Sequence, residues 1–274
     1  MPYRLIPRLD VDGPHLMKGV QLSSWRILGK PEAFSRHYAV SGATELCVVD
    51  WVARKGRESR LTDWIETLAT ETRMKVTLSG GLRDLGTMER ALSTGVARVG
   101  LDAAALSNPD LIRIASQRFG TERVVVSIEA RRHRAGHHEV HGEKGEPTGI
   151  QAAEWARRAA DLGASELIVT SIDRDGTGAG YDIDLIASVT AAVRIPVIAG
   201  GGAGNAAHVR DVRARAQASG ATVASLLHFE TAGALMRMGD WTARGTLEFL
   251  ERSGALRPFH LMSYGDLAGA VGAG

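Results

Sequence analysis

Short apolar runs alternate with amphipathic stretches along the whole chain. Runs rich in Val, Ile and Leu predict strands over residues 5–11, 45–51, 75–78, 98–101, 124–129, 166–172, 196–199 and 221–226. Between them, apolar positions at helical spacing predict helices over 31–41, 61–71, 85–93, 108–119, 150–162, 183–193, 206–218 and 241–251. Gly42, Gly95, Gly163 and Gly220 follow predicted helices, where a left-handed cap favours glycine. Strict β/α alternation implies parallel strands joined by crossover helices. No glycine- or proline-rich linker divides the chain. The fold class expected is therefore α/β, a single closed (β/α)8 (TIM) barrel over residues 1–256. The stretch 257–274 ends in small residues and is expected to be a flexible, frayed tail.

An internal repeat supports closure. S-G-A-T-E-L at 41–46 recurs as L-G-A-S-E-L at 162–167, so Glu45 and Glu166 are 121 residues apart. Gly80-Gly81 recurs as Gly201-Gly202 at the same offset, and the acidic end of the first strand, Asp10, recurs 119 residues on as Glu129. Agreement of the three registers implies two half-barrels of four β/α units each.

Composition narrows the class of function. The 274 residues are 44% hydrophobic and 23% charged, which suits a water-soluble domain with a sizeable core. The 33 basic and 31 acidic residues are interspersed and leave a formal charge of +2, so no basic stripe marks a nucleic-acid partner. Cys47 is the single cysteine, which leaves no disulfide framework and points to a reducing compartment. The N-terminus has no long apolar signal segment and nowhere do enough apolar residues run together to span a bilayer. A cytoplasmic protein without a membrane partner is expected.

In such barrels chemistry gathers at the C-terminal ends of the strands. Those ends carry Asp10, Asp50, Gly80-Gly81, Asp102, Glu129, Asp173 to Thr177, Gly200 to Gly202 and Ala224-Ser225. Asp10 and Glu129 end strands that face each other, an arrangement suited to acid–base work with one carboxyl protonated and one not. The plainer reading, that each caps its strand or pairs with an arginine, has equal standing on spacing alone. Gly200-Gly201-Gly202 with Ala224-Ser225 suits a phosphate held by main-chain N–H groups. Lys18, after a polar turn, is a loop lysine that either reaches over the site or is simply solvated. His137, His138 and His141 lie in a charged segment that reads better as a solvated hairpin than as a metal site. No metal and no cofactor are expected.

Taken in order, I-P-R-L-D-V, L-M-K-G, G-A-T-E-L, S-G-G-L-R-D, S-I-D-R-D-G-T-x-x-G-Y-D, G-G-G-A-G-N and A-S-L-L-H-F resemble the cyclase subunit of imidazole glycerol phosphate synthase, a histidine-biosynthesis barrel. The resemblance runs from about Arg4 to about Leu256. It implies a lyase that takes ammonia from a glutaminase docked on the N-terminal face. It also implies a bis-phosphorylated aminoimidazole ribonucleotide as substrate, cyclised and cleaved to imidazole glycerol phosphate and an aminoimidazole carboxamide ribotide. By the same resemblance Asp10 is the first catalytic aspartate, Lys18 the loop lysine, and Gly176, Thr177, Gly202, Ala224 and Ser225, with Gly201, the distal phosphate site. Gly81 belongs to the other phosphate site, Asp50, Thr170 and Asp173 to the substrate pocket, and Arg4, Glu45, Arg98 and Glu166 to the charged ring through which ammonia enters.

The departures concentrate on one half of the mouth. Glu129 replaces the second aspartate, and a group displaced by about 1 Å can cost about 10²-fold in rate. Asp102-Ala103 replaces an Asn-Thr pair that helps bind the second phosphate, where a carboxylate is repulsive. Arg8 replaces a small cysteine, and Trp51 a smaller aliphatic residue. By strand alternation Arg8 faces inward with Asp10, and a buried guanidinium needs a partner. Glu129 and Asp102 are the partners expected, in one polar cluster that narrows the ammonia route. Three readings follow: a working cyclase subunit; a divergent paralogue of specialised metabolism acting on a singly phosphorylated substrate; and an idle barrel that binds a phosphorylated ligand or a partner subunit.

Overall fold

The computed structural model describes residues 3–54, 62–143 and 145–273. Strand β1 (Arg4–Asp12) is followed by an antiparallel hairpin, β2 (His15–Val20) and β3 (Ser23–Gly29), and by α1 (Pro31–Val40). The chain continues through β4 (Glu45–Asp50), the short α2 (Trp51–Arg54), α3 (Thr62–Thr72), β5 (Lys75–Ser79) and α4 (Leu85–Ser93). Next come β6 (Arg98–Leu101), α5 (Ala103–Ser107), α6 (Asp110–Phe119) and β7 (Val124–Arg132). A second hairpin, β8 (His138–His141) and β9 (Pro147–Gln151), leads to α7 (Ala152–Asp161) and β10 (Glu166–Ser171). The last units are α8 (Ile183–Thr190), β11 (Val197–Gly200), α9 (Ala206–Ala216), β12 (Gly220–Val223), α10 (Ser225–Arg237), α11 (Arg244–Arg252) and α12 (Tyr264–Val271).

Eight strands pair in parallel in the cyclic order β1, β4, β5, β6, β7, β10, β11, β12, and β12 returns to β1. The molecule is a closed (β/α)8 barrel. No helix among the described residues is long and apolar enough to cross a membrane. Strand parity divides the core in two. Leu5, Leu9 and Val11 of β1 pack under the helices. Ile6 faces the axis, where it meets Cys47, Val49, Val125, Ile168 and Ile198 in a small apolar layer. Burial there pushes the Cys47 thiol up to about 11, so it serves as a neutral packing group.

Helices are placed by burial stripes and caps. Ala152, Trp155, Ala156 and Ala159 form the buried face of α7 at helical spacing. The Asp84, Asp182 and Asn205 side chains cap α4, α8 and α9 by accepting from backbone N–H groups inside the first turn.

Several boundaries differ from the pattern reading. The eighth strand ends at Val223, and 224–237 turns into α10, whose Leu226, Leu227 and Phe229 are buried. A run buried on all sides has no period to separate strand from helix. The eighth barrel helix is α10; the predicted helix at 241–251 is the additional α11, and its neighbour Trp241 is 61% exposed. Both hairpins insert between a strand and its helix, and the first escaped prediction altogether. Leu61, the expected start of the second helix, lies outside the described residues. The stretch after Pro258 also differs from the frayed tail expected. Ser263 caps α12, Leu267 is fully buried, and the Tyr264 hydroxyl donates to the Leu5 carbonyl at 3.1 Å.

Candidate active site

At the N-terminal end of the barrel, Arg4, Glu45, Arg98 and Glu166 close into one ring. Arg4 donates to Glu45 at 2.6 and 2.7 Å and also pairs with Glu166. Arg98 donates to Glu166 at 3.1 Å and also pairs with Glu45. Each guanidinium thus bridges both glutamates, and both lie over the apolar layer of Ile6, Cys47 and Ile168. Four inward residues from four strands meet here because each opens its strand with the same parity.

At the opposite end two ion pairs divide the mouth. Arg8 faces inward and is 8% exposed, as its parity requires, yet its partner is not the expected one. Its Nε and a terminal nitrogen donate to Asp10 Oδ1 at 3.1 and 2.9 Å, and its other terminal nitrogen donates to Thr170 at 3.2 Å. The Trp51 indole N–H donates to the same Asp10 oxygen at 3.2 Å. Glu129 is held instead by Arg54, which donates to its two oxygens at 2.7 and 2.5 Å. Asp102 lies 3.9 Å from Arg54 Nε. The single cluster expected around Arg8 is therefore two pairs, Arg8–Asp10 and Arg54–Glu129. The Arg54 guanidinium rests on the Trp51 ring, 4.5 Å from its centroid, and Trp25 of the unpredicted hairpin packs on Trp51 at 4.7 Å.

These contacts set the charges. Burial opposes ionisation of Asp10, but the adjacent Arg8 and Lys18 outweigh it and hold the carboxyl below its ordinary range. Burial likewise opposes ionisation of Glu129, and the Arg54 fork again wins. The expectation that one of this pair is protonated is not met. Asp102 moves the other way: burial pushes it up, Glu129 and Glu143 reinforce the shift, and Arg54 only partly opposes it.

The distal half of the mouth holds a small cavity lined by Arg8, Gly176, Gly202, Thr222, Ala224 and Ser225, with Asp175 and Gly201 beside them. Gly202 has φ +109°, and a β-carbon there would collide with the Gly180 carbonyl oxygen, so no side chain fits. At Gly81, its counterpart in the other half, a β-carbon would likewise collide with Ala53, 2.5 Å from its carbonyl carbon. Lys18 is neither solvated nor in an open loop. It projects from β2, is 5% exposed, and meets both Asp175 oxygens at 3.2 Å.

Other sequence candidates have local duties. The Asp50 carboxylate accepts from the Val52 and Ala53 N–H groups at 2.9 Å, capping α2. Asp173 pairs with Arg131 at 3.3 Å on the rim. The Thr177 hydroxyl donates to the Arg174 carbonyl and stands outside the distal cavity. The histidine segment is a hairpin as expected, but His138 is buried against Asp182 at 3.1 Å rather than solvated. His228, fully buried, was missed. Its Nε2 donates to the Arg8 carbonyl at 2.8 Å, while Nδ1 accepts from Tyr38 at 2.6 Å. Arg54 was also missed, although the repeat pointed to it: it precedes Asp175 by the same 121 residues that relate Gly81 to Gly202.

A closed (β/α)8 barrel with a charged basal ring, ion-paired carboxylates at the mouth and a glycine-lined cavity beside them is the class that the fold and the site define. Residues 4–232 match the family described as histidine biosynthesis protein. Imidazole glycerol phosphate synthase subunit HisF of Streptomyces coelicolor is 41% identical over 228 residues, covering 82% of this chain and 90% of the relative. The HisF subunit of Streptomyces avermitilis is 41% identical over 229 residues with the same coverage. The chain belongs to the histidine biosynthesis protein family and, within that family of enzymes, stands with the HisF cyclase subunits of imidazole glycerol phosphate synthase.

Proposed function

We propose that this protein is a cyclase–lyase of the imidazole glycerol phosphate synthase type, working in the cytoplasm on a phosphorylated aminoimidazole ribonucleotide with ammonia as co-substrate. The observation that carries this reading is the distal half of the mouth. A cavity of glycine backbone and small side chains lies there beside Arg8 and Asp175, which tie it to Asp10 and Lys18. A phosphate in that cavity extends the substrate between Asp10 on β1 and Glu129 on β7. Both carboxylates are ionised, so both act as proton acceptors, one on each side of the substrate. In this reading a glutaminase subunit at the N-terminal face supplies ammonia to the Arg4–Glu45–Arg98–Glu166 ring.

A second reading is favoured by Arg8 and Arg54. Arg8 fills the axis above the apolar layer, and Arg54 fills the half of the mouth where a second phosphate belongs in the family plan. In that reading the protein is a divergent paralogue with a closed ammonia route and a singly phosphorylated substrate. Ammonium-driven turnover of the bis-phosphorylated ribotide, followed by loss of its absorbance, decides between them. Turnover at high ammonium supports the first reading; none at any concentration removes it. Crystals soaked in phosphate give the complementary result: one anion near Gly202 and Ser225 for the second reading, a further anion near Gly81 and Asp102 for the first.

A further inference from the structure

Acid–base chemistry needs a proton donor as well as acceptors. Asp10 and Glu129 are poor donors near neutral pH, because each accepts charge-assisted hydrogen bonds from an arginine. Asp102 differs from both. It stands at the C-terminal end of β6, where α5 begins, with its side chain 14% exposed. No described side chain donates a hydrogen bond to it. Arg54 Nε is 3.9 Å away, beyond hydrogen-bond reach, and both terminal nitrogens of Arg54 are engaged by Glu129. That Nε is itself buried without a hydrogen-bond partner. A buried donor without an acceptor thus faces, across 3.9 Å, a carboxyl whose hydrogen bond comes from its own backbone N–H and not from any described side chain. That is the arrangement expected when the carboxyl carries a proton.

We propose that Asp102 is the proton donor of this site, and that Arg54 is the positioning residue that stabilises the carboxylate left behind. The inference rests on the lyase reading above. In the step, the Asp102 proton moves to the substrate's leaving heteroatom while the bond from that atom to carbon breaks, its electron pair passing to the heteroatom. The lone pair of the ammonia-derived nitrogen on the same carbon forms the C=N bond that replaces it, and that nitrogen's proton passes to one of the two acceptor carboxylates. Asp102 is left as a carboxylate, and a movement of about 1 Å closes its gap to Arg54 Nε. Among the described residues, the charged groups facing Asp102 are Arg54 from α2, Glu129 from β7 and Glu143 from the turn after β8, the last paired with Arg83. The two glutamates keep the proton in place until the substrate takes it. Burial is the largest reason that Asp102 ionises above its ordinary range.

Infrared difference spectroscopy on the full chain at neutral pH reads a buried carboxylic acid without substrate. Its band is expected in the unaltered protein, in Asp10→Asn and in Glu129→Gln, and is expected to vanish in Asp102→Asn. An Asp102→Asn spectrum with no band lost overturns the proposal, whatever the substrate. Ammonium-driven turnover of the bis-phosphorylated ribotide supplies the second readout. Asp102→Asn is expected to lower kcat by about 10²-fold, with little change in KM, and to erase the alkaline limb of the pH profile. Asp102→Glu is expected to keep a displaced limb, which separates proton donation from a folding role. An Asp102→Asn protein with unchanged kcat and an unchanged profile also overturns the proposal. If the unaltered protein does not turn over the ribotide, the lyase reading fails, and the infrared band alone decides whether Asp102 holds the proton.

Discussion

Arg54 grips Glu129 through two parallel hydrogen bonds of 2.7 and 2.5 Å, and this fork separates the proximal half of the mouth from the distal half. The arginine comes from a four-residue helix capped by Asp50, and the glutamate from the far side of the barrel. Asp10 is drawn to Arg8 on its own strand, two residues away. Each of the two opposed carboxylates thus has its own counterion, while Arg8 and Asp10 still act on Glu129 through space.

Removing Arg54 isolates buried negative charge. Breaking a buried pair from one side typically costs about 3–5 kcal/mol, because the remaining charge has lost its counterion. Arg54→Met is therefore expected to lose about that much stability in urea unfolding, and Arg54→Met with Glu129→Gln to recover most of it. A single variant within about 1 kcal/mol of the unaltered protein contradicts the pairing.

Acid unfolding should be steep. Asp10 and Glu129 ionise below their ordinary range in the folded state, so their stabilisation is present above the unfolded carboxylate range and is lost as pH falls through the lower folded values. His228 adds to this trend. Burial lowers it from 6.5 to about 3, with help from nearby Lys18, so the unfolded chain binds a proton that the folded chain refuses between those values. Its contribution approaches about 1.4 kcal/mol lost per pH unit as pH falls through that window. His228→Gln is expected to flatten the stability profile between pH 6.5 and 3, as read by denaturant midpoints.

The basal ring should behave as a unit. Arg4 and Arg98 each bridge Glu45 and Glu166, so either one alone still neutralises much of the pair. Arg4→Met and Arg98→Met are each expected to cost about 1–3 kcal/mol, and the double variant to cost more than their sum by about 1 kcal/mol. A strictly additive double-mutant cycle shows two independent ion pairs.

The distal cavity should bind inorganic phosphate. Ser225→Asp puts a second carboxylate, besides Asp175, into a wall that also holds Arg8, Gly176, Gly202, Thr222 and Ala224. Phosphate affinity by calorimetry is expected to fall at least about tenfold, about 1.4 kcal/mol, with the unfolding midpoint little changed. Equal affinity in the two proteins removes the cavity as the phosphate site.

The apolar alternation and the 121-residue repeat by themselves determined a closed barrel and the glycine pairs at its mouth, while the basal ring followed from the resemblance to the cyclase family. They also determined that Arg8 points inward with Asp10, since parity along a strand is local geometry. Tertiary structure decided which carboxylate each arginine takes. Parity names the face, but a long guanidinium side chain reaches several acids there, and the winner depends on distances across the axis and on competing cations. Arg54 won Glu129 because α2 places it at the mouth, leaving Arg8 to Asp10. His138 and α12 follow the same rule: a polar hairpin and a small-residue tail look solvent-facing in one dimension. They are buried because Asp182 and the base of the barrel, distant in sequence, provide them with partners.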